Sequence, residues 1–222
     1  CVISDGKETV AMIAIDACGL VYKIRNIIAK RVSEFTGIKE ENVLVAATHS
    51  HTGIPVYGFN RDEEVAKNQE GYFDLVPKLI ADCAILAYKR LEESEITYSL
   101  GSVDGISFCR DYEMKNSTPR TNPGRLNPDI IGPTAETDNE LPVMFMKSAD
   151  GTPKGAIVCF ACHLDCVDGT EYSGDFASEL SKLPRGEALV IAGAPTAPFE
   201  LPSPRCAVIS LTITAPASSH KY

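Results

Sequence analysis

The sequence predicts an α/β fold, a mixed β-sheet core flanked by helices and incomplete at both ends. Three observations carry this. Apolar runs of strand length alternate with segments of helical spacing from Thr9 to Val103. Two further strand runs, Val143–Lys147 and Gly155–Cys162, are joined by Ser148-Ala149-Asp150-Gly151-Thr152-Pro153, a turn sequence that makes them a hairpin. Finally, 222 residues at 44% apolar and 23% charged suffice for one sizeable core.

The elements follow in order. Thr9 to Ile15 reads as a strand ending at Asp16. Leu20 to Phe35 has apolar residues at 20, 21, 24, 27, 28, 32 and 35, a helical spacing that Gly37 terminates. Val43 to Thr48 reads as a strand buried on both faces. Gly53 to Asn60 is a loop rich in Gly, Pro and aromatic residues. A second helix is expected from about Pro77 to Glu93, with Pro77 in its first turn or at a kink in a longer helix. Ile96 to Val103 is a strand, residues 110–142 look irregular because of their Pro and Gly content, and the strand of the hairpin's second arm is expected to run to His163. From about Leu183 the composition turns to Pro, Ala, Ser and Thr. Within this tail Val208–Thr214 is a strand candidate, with no helix of normal length separating it from Glu187–Ala192.

Charge and cysteine usage narrow the classes. A formal net charge of −9 argues against nucleic acid or an anionic membrane as a general partner. No apolar run approaches the roughly 20 residues of a membrane-spanning helix. Eight cysteines, of which only Cys159, Cys162 and Cys166 cluster, form no disulfide framework and lean towards a reducing compartment. The chain begins at Cys1 rather than Met, which implies that its natural start lies upstream. Compartment and oligomeric state are not legible.

The chemistry concentrates in Val43-Leu44-Val45-Ala46-Ala47-Thr48-His49-Ser50-His51-Thr52-Gly53. If the strand continues, alternation puts His49 and His51 on one side of the sheet, about 7 Å apart along the chain. Two imidazoles at a strand mouth suit a metal or oxyanion site; the bland reading is a structural pair donating to loop carbonyls. His163 stands at the end of a separate strand and alone reads as a core histidine. The three together can converge, and their wide spacing suits a catalytic site built from distant strands rather than a zinc finger. Arg110, after a strand-like run, is either a solvated loop residue or an arginine facing a carbonyl or carboxylate. Asp16 and Asp175 read as turn formers or caps. Cys159-Phe160-Ala161-Cys162-His163 matches C-x-x-C-H and C-x-x-C, but a haem or redox role fits poorly inside an apolar strand run. A structural zinc site on Cys159, Cys162, Cys166 and His163 is disfavoured by side-chain alternation.

These segments resemble the neutral/alkaline non-lysosomal ceramidases. The blocks are Ala46-Ala47-Thr48-His49-Ser50-His51-Thr52-Gly53, then Phe108-Cys109-Arg110, then Thr121-Asn122-Pro123-Gly124 with Asn127-Pro128-Asp129-Ile130, then Phe160-Ala161-Cys162-His163 with Ser173-Gly174-Asp175. They stand in the family's order, and the loop blocks look most like its uncharacterised bacterial branch. The resemblance spans about residues 8–182. It implies residues 1–182 as a partial N-terminal catalytic domain and 183–222 as an atypical tail, a frame artefact or truncation.

The resemblance further implies a zinc-dependent amidohydrolase that cleaves the N-acyl bond of a ceramide-like lipid amide by a zinc-bound water. His49 and His163 would be zinc ligands. His51 and Arg110 would face the substrate as catalytic groups. The family's remaining ligands, a glutamate and a tyrosine, lie beyond this chain, and neither Glu200 nor Tyr222 sits in a matching motif. This chain alone is therefore expected to be a poor enzyme. The competing readings are a non-catalytic or degenerate α/β module, or a gene fragment.

Overall fold

The structure, a computed structural model, describes residues 1–56, 70–181 and 187–192. Its elements are β1 Val2–Ser4, β2 Thr9–Ile15, α1 Tyr22–Thr36, a 3-10 turn Glu40–Asn42, β3 Val43–Ala47, α2 Glu70–Lys89, β4 Ser94–Ser102, β5 Asp111–Met114, β6 Arg120–Thr121, β7 Ile130–Pro133, β8 Glu140–Ser148, β9 Pro153–Phe160, α3 Asp175–Ser181 and β10 Glu187–Ala192. This is an α/β fold. Its strands form two mixed sheets, β1-β2-β3 and β10-β9-β8-β4, and a small antiparallel sheet β6-β5-β7.

Strand β2 lies between the helices and the second sheet, and its alternation shows why. Ala11, Ile13 and Ile15 join Ile24, Ile28, Ala29 and Val32 of α1 and Ala81 and Ala84 of α2 in the main core. Met12 and Ala14, on the opposite face, pack with Met144, Met146, Ile157 and Cys159 of β8 and β9. Burying an isoleucine contributes about 1.5–3 kcal/mol. The Arg31–Asp82 ion pair between α1 and α2 (2.7 Å) is half-exposed and worth at most about 1 kcal/mol. The apolar faces, not the ion pair, hold the helices to the sheet.

Local chemistry sets the ends. Gly37 adopts φ 77° and its N–H donates to the Ser33 carbonyl, closing α1. Arg25 of α1 donates to the carbonyls of Glu40 (2.7 Å) and Val43 (2.8 Å), fixing where β3 begins. The β8–β9 turn is held by Asp150, which accepts the Thr152 N–H (2.9 Å) and the Ser148 hydroxyl (2.8 Å). Those bonds, the Thr152 N–H first, bring its carboxyl down to about 2.

Three expectations change, and one pair of alternatives is resolved. Strand β3 is not buried on both faces. Val43 is fully buried, but Leu44 is 47% exposed, because among the described residues the main core packs on the Val43/Val45 face of β3. Of the two readings of Pro77, the longer helix holds: α2 runs from Glu70 to Lys89, and Pro77 lies inside it, where it lacks an N–H for the ladder. Residues 110–142 are not uniformly irregular. They contain β5, β6 and β7, with Gly132 and Pro133 ending the edge strand β7, where a missing donor is tolerated. Strand β9 stops at Phe160, three residues short of His163, because the Cys162 N–H turns back to the Phe160 carbonyl (3.0 Å). Residues 57–60 of the expected loop, and the tail beyond 192 with Val208–Thr214, lie outside the described residues. Glu187–Ala192 is a strand, paired in parallel with β9.

No helix among the described residues is long and apolar enough to cross a membrane.

Candidate metal centre

The histidine turn hangs from the ends of β2 and β3. Beyond Ala47 the pairing runs on: the Thr48 N–H donates to Ile15 (2.9 Å), and the His49 N–H to Ala17 (2.9 Å). His49 takes φ 69°, a left-handed conformation uncommon for a residue with a Cβ. The chain thus leaves the strand between Thr48 and Ser50, so strand alternation does not govern His49 and His51. Their rings still meet, with centroids 5.1 Å apart.

A clamp holds the turn. The Ile54 N–H donates to the Asp16 carbonyl (2.8 Å) and the His51 N–H to the Leu164 carbonyl (3.3 Å). The Ser50 and Thr52 hydroxyls both donate to the Ser173 carbonyl (2.8 and 3.2 Å), and the Ser173 N–H donates to Thr52 (2.9 Å). Thr48, Ser50 and Thr52 are buried, and the hydroxyls of Ser50 and Thr52, which alternate with the histidines, serve the clamp.

Asp175 holds the other side. It is 2% exposed at φ 54°, and its carboxylate accepts the N–H groups of Cys166 (2.8 Å), Val167 (2.9 Å) and Phe176 (2.6 Å). This fixes the loop that follows His163. Asp175→Ala removes the acceptor of all three N–H groups; a hydrogen bond to a charged group contributes about 1.5–3 kcal/mol, less at the exposed Cys166 and Val167, where water can take its place. The expected loss is about 3 kcal/mol in urea unfolding of the 222-residue chain. A loss below about 1 kcal/mol would show that the loop does not depend on this carboxylate.

Asp16 sits where the segments meet. Burial pushes its carboxyl above the ordinary value, against a bond from the Thr48 hydroxyl, and its Oδ1 has no hydrogen-bond partner. Gly53 and Gly174 both approach it: a Cβ on Gly53 would lie 2.2 Å from the Asp16 carbonyl oxygen, and one on Gly174 2.6 Å from Asp16 Oδ2. Both glycines are there for close approach.

The result is a cluster of three imidazoles from two distant segments. His163 lies 5.0 Å from His49 and 4.8 Å from His51, centroid to centroid. His163 Nε2 is 3.2 Å from His51 Nε2 and 3.5 Å from Arg110 Nη1. All four sequence-derived site residues, His49, His51, His163 and Arg110, therefore meet in one place. Arg110 reaches it from just before β5.

The electrostatics favour neutral rings at two positions. Burial first, then the neighbouring His51 and Arg110, lower His49, opposed by its bond to the Cys18 carbonyl and by Asp165. Burial first, then Arg110 and the other two histidines, lower His163, opposed by Asp165. A neutral imidazole keeps a lone pair for a metal.

Two groups could hold a cation: Cys18 with His49 and His51, and His51 with His163 and Asp165, each with its donor atoms within 4.8 Å of one another. The sequence reading missed Cys18 and Asp165. Their only signals were position, Cys18 just after β2 and Asp165 two residues after His163. Imidazole, thiol and carboxylate are the donor types that zinc takes. By contrast, Cys159 of the C-x-x-C-H run packs among Met12, Met144 and Met146 in the core.

No family model matches the chain. Among solved structures, the chain is similar to a ceramidase complexed with C2, with a TM-score of 0.59 and 20% identity over 85% of this chain and 30% of that one. It is also similar to the neutral ceramidase from Pseudomonas aeruginosa, with a TM-score of 0.58 and 20% identity over 89% of this chain and 34% of that one. The chain thus spans 30–34% of the length of these ceramidases. At this identity the likeness speaks for the architecture, and the architecture is a ceramidase-like α/β fold.

Proposed function

We propose that the chain is the N-terminal part of a zinc-dependent amidohydrolase of the ceramidase type, acting on an N-acyl amide of a ceramide-like lipid. Residues 1–182 are the partial catalytic domain in this reading. The observation that carries it is the meeting of His49, His51 and His163, with ring centroids 4.8–5.1 Å apart, beside Arg110. The shared fold supports it.

In this reading His49 and His163 hold the metal. Zinc bound there supplies Lewis acidity, which polarises a carbonyl and makes water a competent nucleophile near neutral pH. The chain's own residues do the rest. Burial keeps His49 and His163 available as neutral donors. The Arg110 guanidinium, already 3.5 Å from His163, faces the amide oxygen and takes up the negative charge that develops on it. His51, 41% exposed at the edge of the cluster, meets the scissile carbonyl or the carboxylate product.

The test is hydrolysis of a short-acyl ceramide by the complete protein. Fatty acid release that a chelator abolishes and zinc restores is expected. Full activity in the presence of chelator would contradict the reading.

A further inference from the structure

Cys18 stands beside the histidine turn, just after the end of β2. It belongs to the segment on which that turn is hung: the Ala17 carbonyl accepts the His49 N–H (2.9 Å), and the Asp16 carbonyl accepts the Ile54 N–H (2.8 Å). The His49 ring also bonds to the Cys18 backbone carbonyl, which ties ring and thiol to one piece of backbone. One donor atom each from Cys18, His49 and His51 lies within 4.8 Å of the other two. Of the two groups among the described residues that could hold a metal ion, only this one contains sulfur. Cys18 and His49 are half-buried and His51 is exposed, so an ion has a way in.

We infer that Cys18, His49 and His51 form a site for a thiophilic divalent cation such as cadmium, built wholly from this chain. Thiolate is a soft ligand and imidazole suits the same later metals, whereas magnesium and calcium take oxygen. One thiolate and two neutral imidazoles leave the bound ion one net positive charge and a fourth position for water. On binding, the thiol releases its proton to solvent and the sulfur gives its electron pair to the metal. Donors around a tetrahedral ion of this kind stand roughly 3.5 Å apart, so the three close by up to about 1 Å. Rotation of the side chains does this while the clamped backbone stays in place. An ion that took His51 through Nε2 would replace its 3.2 Å hydrogen bond with His163.

The site is distinct from the zinc reading above. It shares His49, but it needs neither His163 nor a ligand from outside the chain, so the two stand or fall separately. It is distinct also from the Cys159–Cys166 run. Cys159 packs in the core, and no three-donor group among the described residues includes Cys162 or Cys166. If the zinc reading holds, an ion at Cys18 withdraws His49 and His51 together, and cadmium inhibits the complete protein.

The experiment is a cadmium titration of the reduced, metal-free 222-residue chain, followed by the thiolate-to-cadmium charge-transfer band in the ultraviolet. The wild type is expected to bind one tight equivalent that carries this band. Cys18→Ser should lose the band of that equivalent at unchanged far-ultraviolet circular dichroism. His51→Ala, at an exposed position, should keep the band but bind more weakly, by more than the roughly 10–100-fold that loss of an outer partner costs a metal site. His163→Ala and the double variant Cys162→Ser with Cys166→Ser should titrate as the wild type does. A band that survives in Cys18→Ser, or that disappears in the double variant, would overturn the inference. So would a wild type without a tight, sulfur-bound equivalent, or an unaltered affinity in His51→Ala. Loss of cadmium in His163→Ala would merge the site with the proposed zinc centre and contradict a separate one. If cadmium binds as stated and zinc does not bind the complete protein, the Cys18 site stands and the zinc reading fails.

Discussion

Gly53→Ala is expected to cost the protein about 3 kcal/mol or more, at the upper end of what forced overpacking does. The added Cβ would lie 2.2 Å from the Asp16 carbonyl oxygen, 2.5 Å from its carbonyl carbon and 2.7 Å from the Ala17 nitrogen. All three are backbone atoms, so no change of rotamer relieves the clash. The backbone in question is the end of β2, whose Ile15, Asp16 and Ala17 carbonyls receive the N–H groups of Thr48, Ile54 and His49. Moving one strand end away from the other breaks those bonds and releases the turn that carries both histidines. Urea unfolding of the 222-residue chain should show a lower midpoint at an unchanged slope. A loss below about 1 kcal/mol would mean that the turn can slide and that the clamp is not what sets the ring positions.

His163→Ala is expected to remove zinc and amide hydrolysis from the complete protein together, whereas Arg110→Ala should keep zinc and lose about 10²–10³-fold in kcat. The contrast follows from what each group offers. His163 supplies a nitrogen lone pair at the centre of the cluster, 18% exposed and turned towards neutral imidazole by burial. Arg110 has no lone pair to give and acts only on charge that develops during the reaction. Metal analysis beside kcat and KM separates the two. If His163→Ala retained both zinc and activity, the ligand assignment would be wrong. If Arg110→Ala lost zinc, the arginine would be holding the site together rather than stabilising charge.

Periodic elements were legible because packing follows periodicity. The 3.6-residue pattern of α1 and the alternation of β2 correspond to what the core buries. The hairpin was legible from its turn, whose Asp150 and Gly151 do local work. The limits of β3, expected over 43–48 and found at Val43–Ala47, were legible as well; the end of β9, where the chain turns back at Phe160, and the paths of the turns beyond both strands were not, since Ala17 and Ser173 hold the histidine turn and Asp175 the loop after His163, and no local pattern announces such partners. For the same reason His49 and His51 meet, although the strand geometry that suggested it does not apply to them. The division of the mixed core into two sheets is also a tertiary choice. It depends on Met12 and Ala14 packing against β8 and β9, which a half-apolar strand pattern cannot distinguish from packing on a helix. Asp165 was overlooked because a lone acidic residue beside a histidine is ordinary on a surface; only the second imidazole, brought over from the other segment, gives it meaning.

The most direct measurement is an anomalous difference map at the zinc edge from crystals of the complete protein. The expected result is one strong peak within about 2.1 Å of nitrogens of His49 and His163, with Arg110 and His51 lining its open side. A peak bound through Cys18 without His163, or no peak among the three histidines, would contradict the proposed centre.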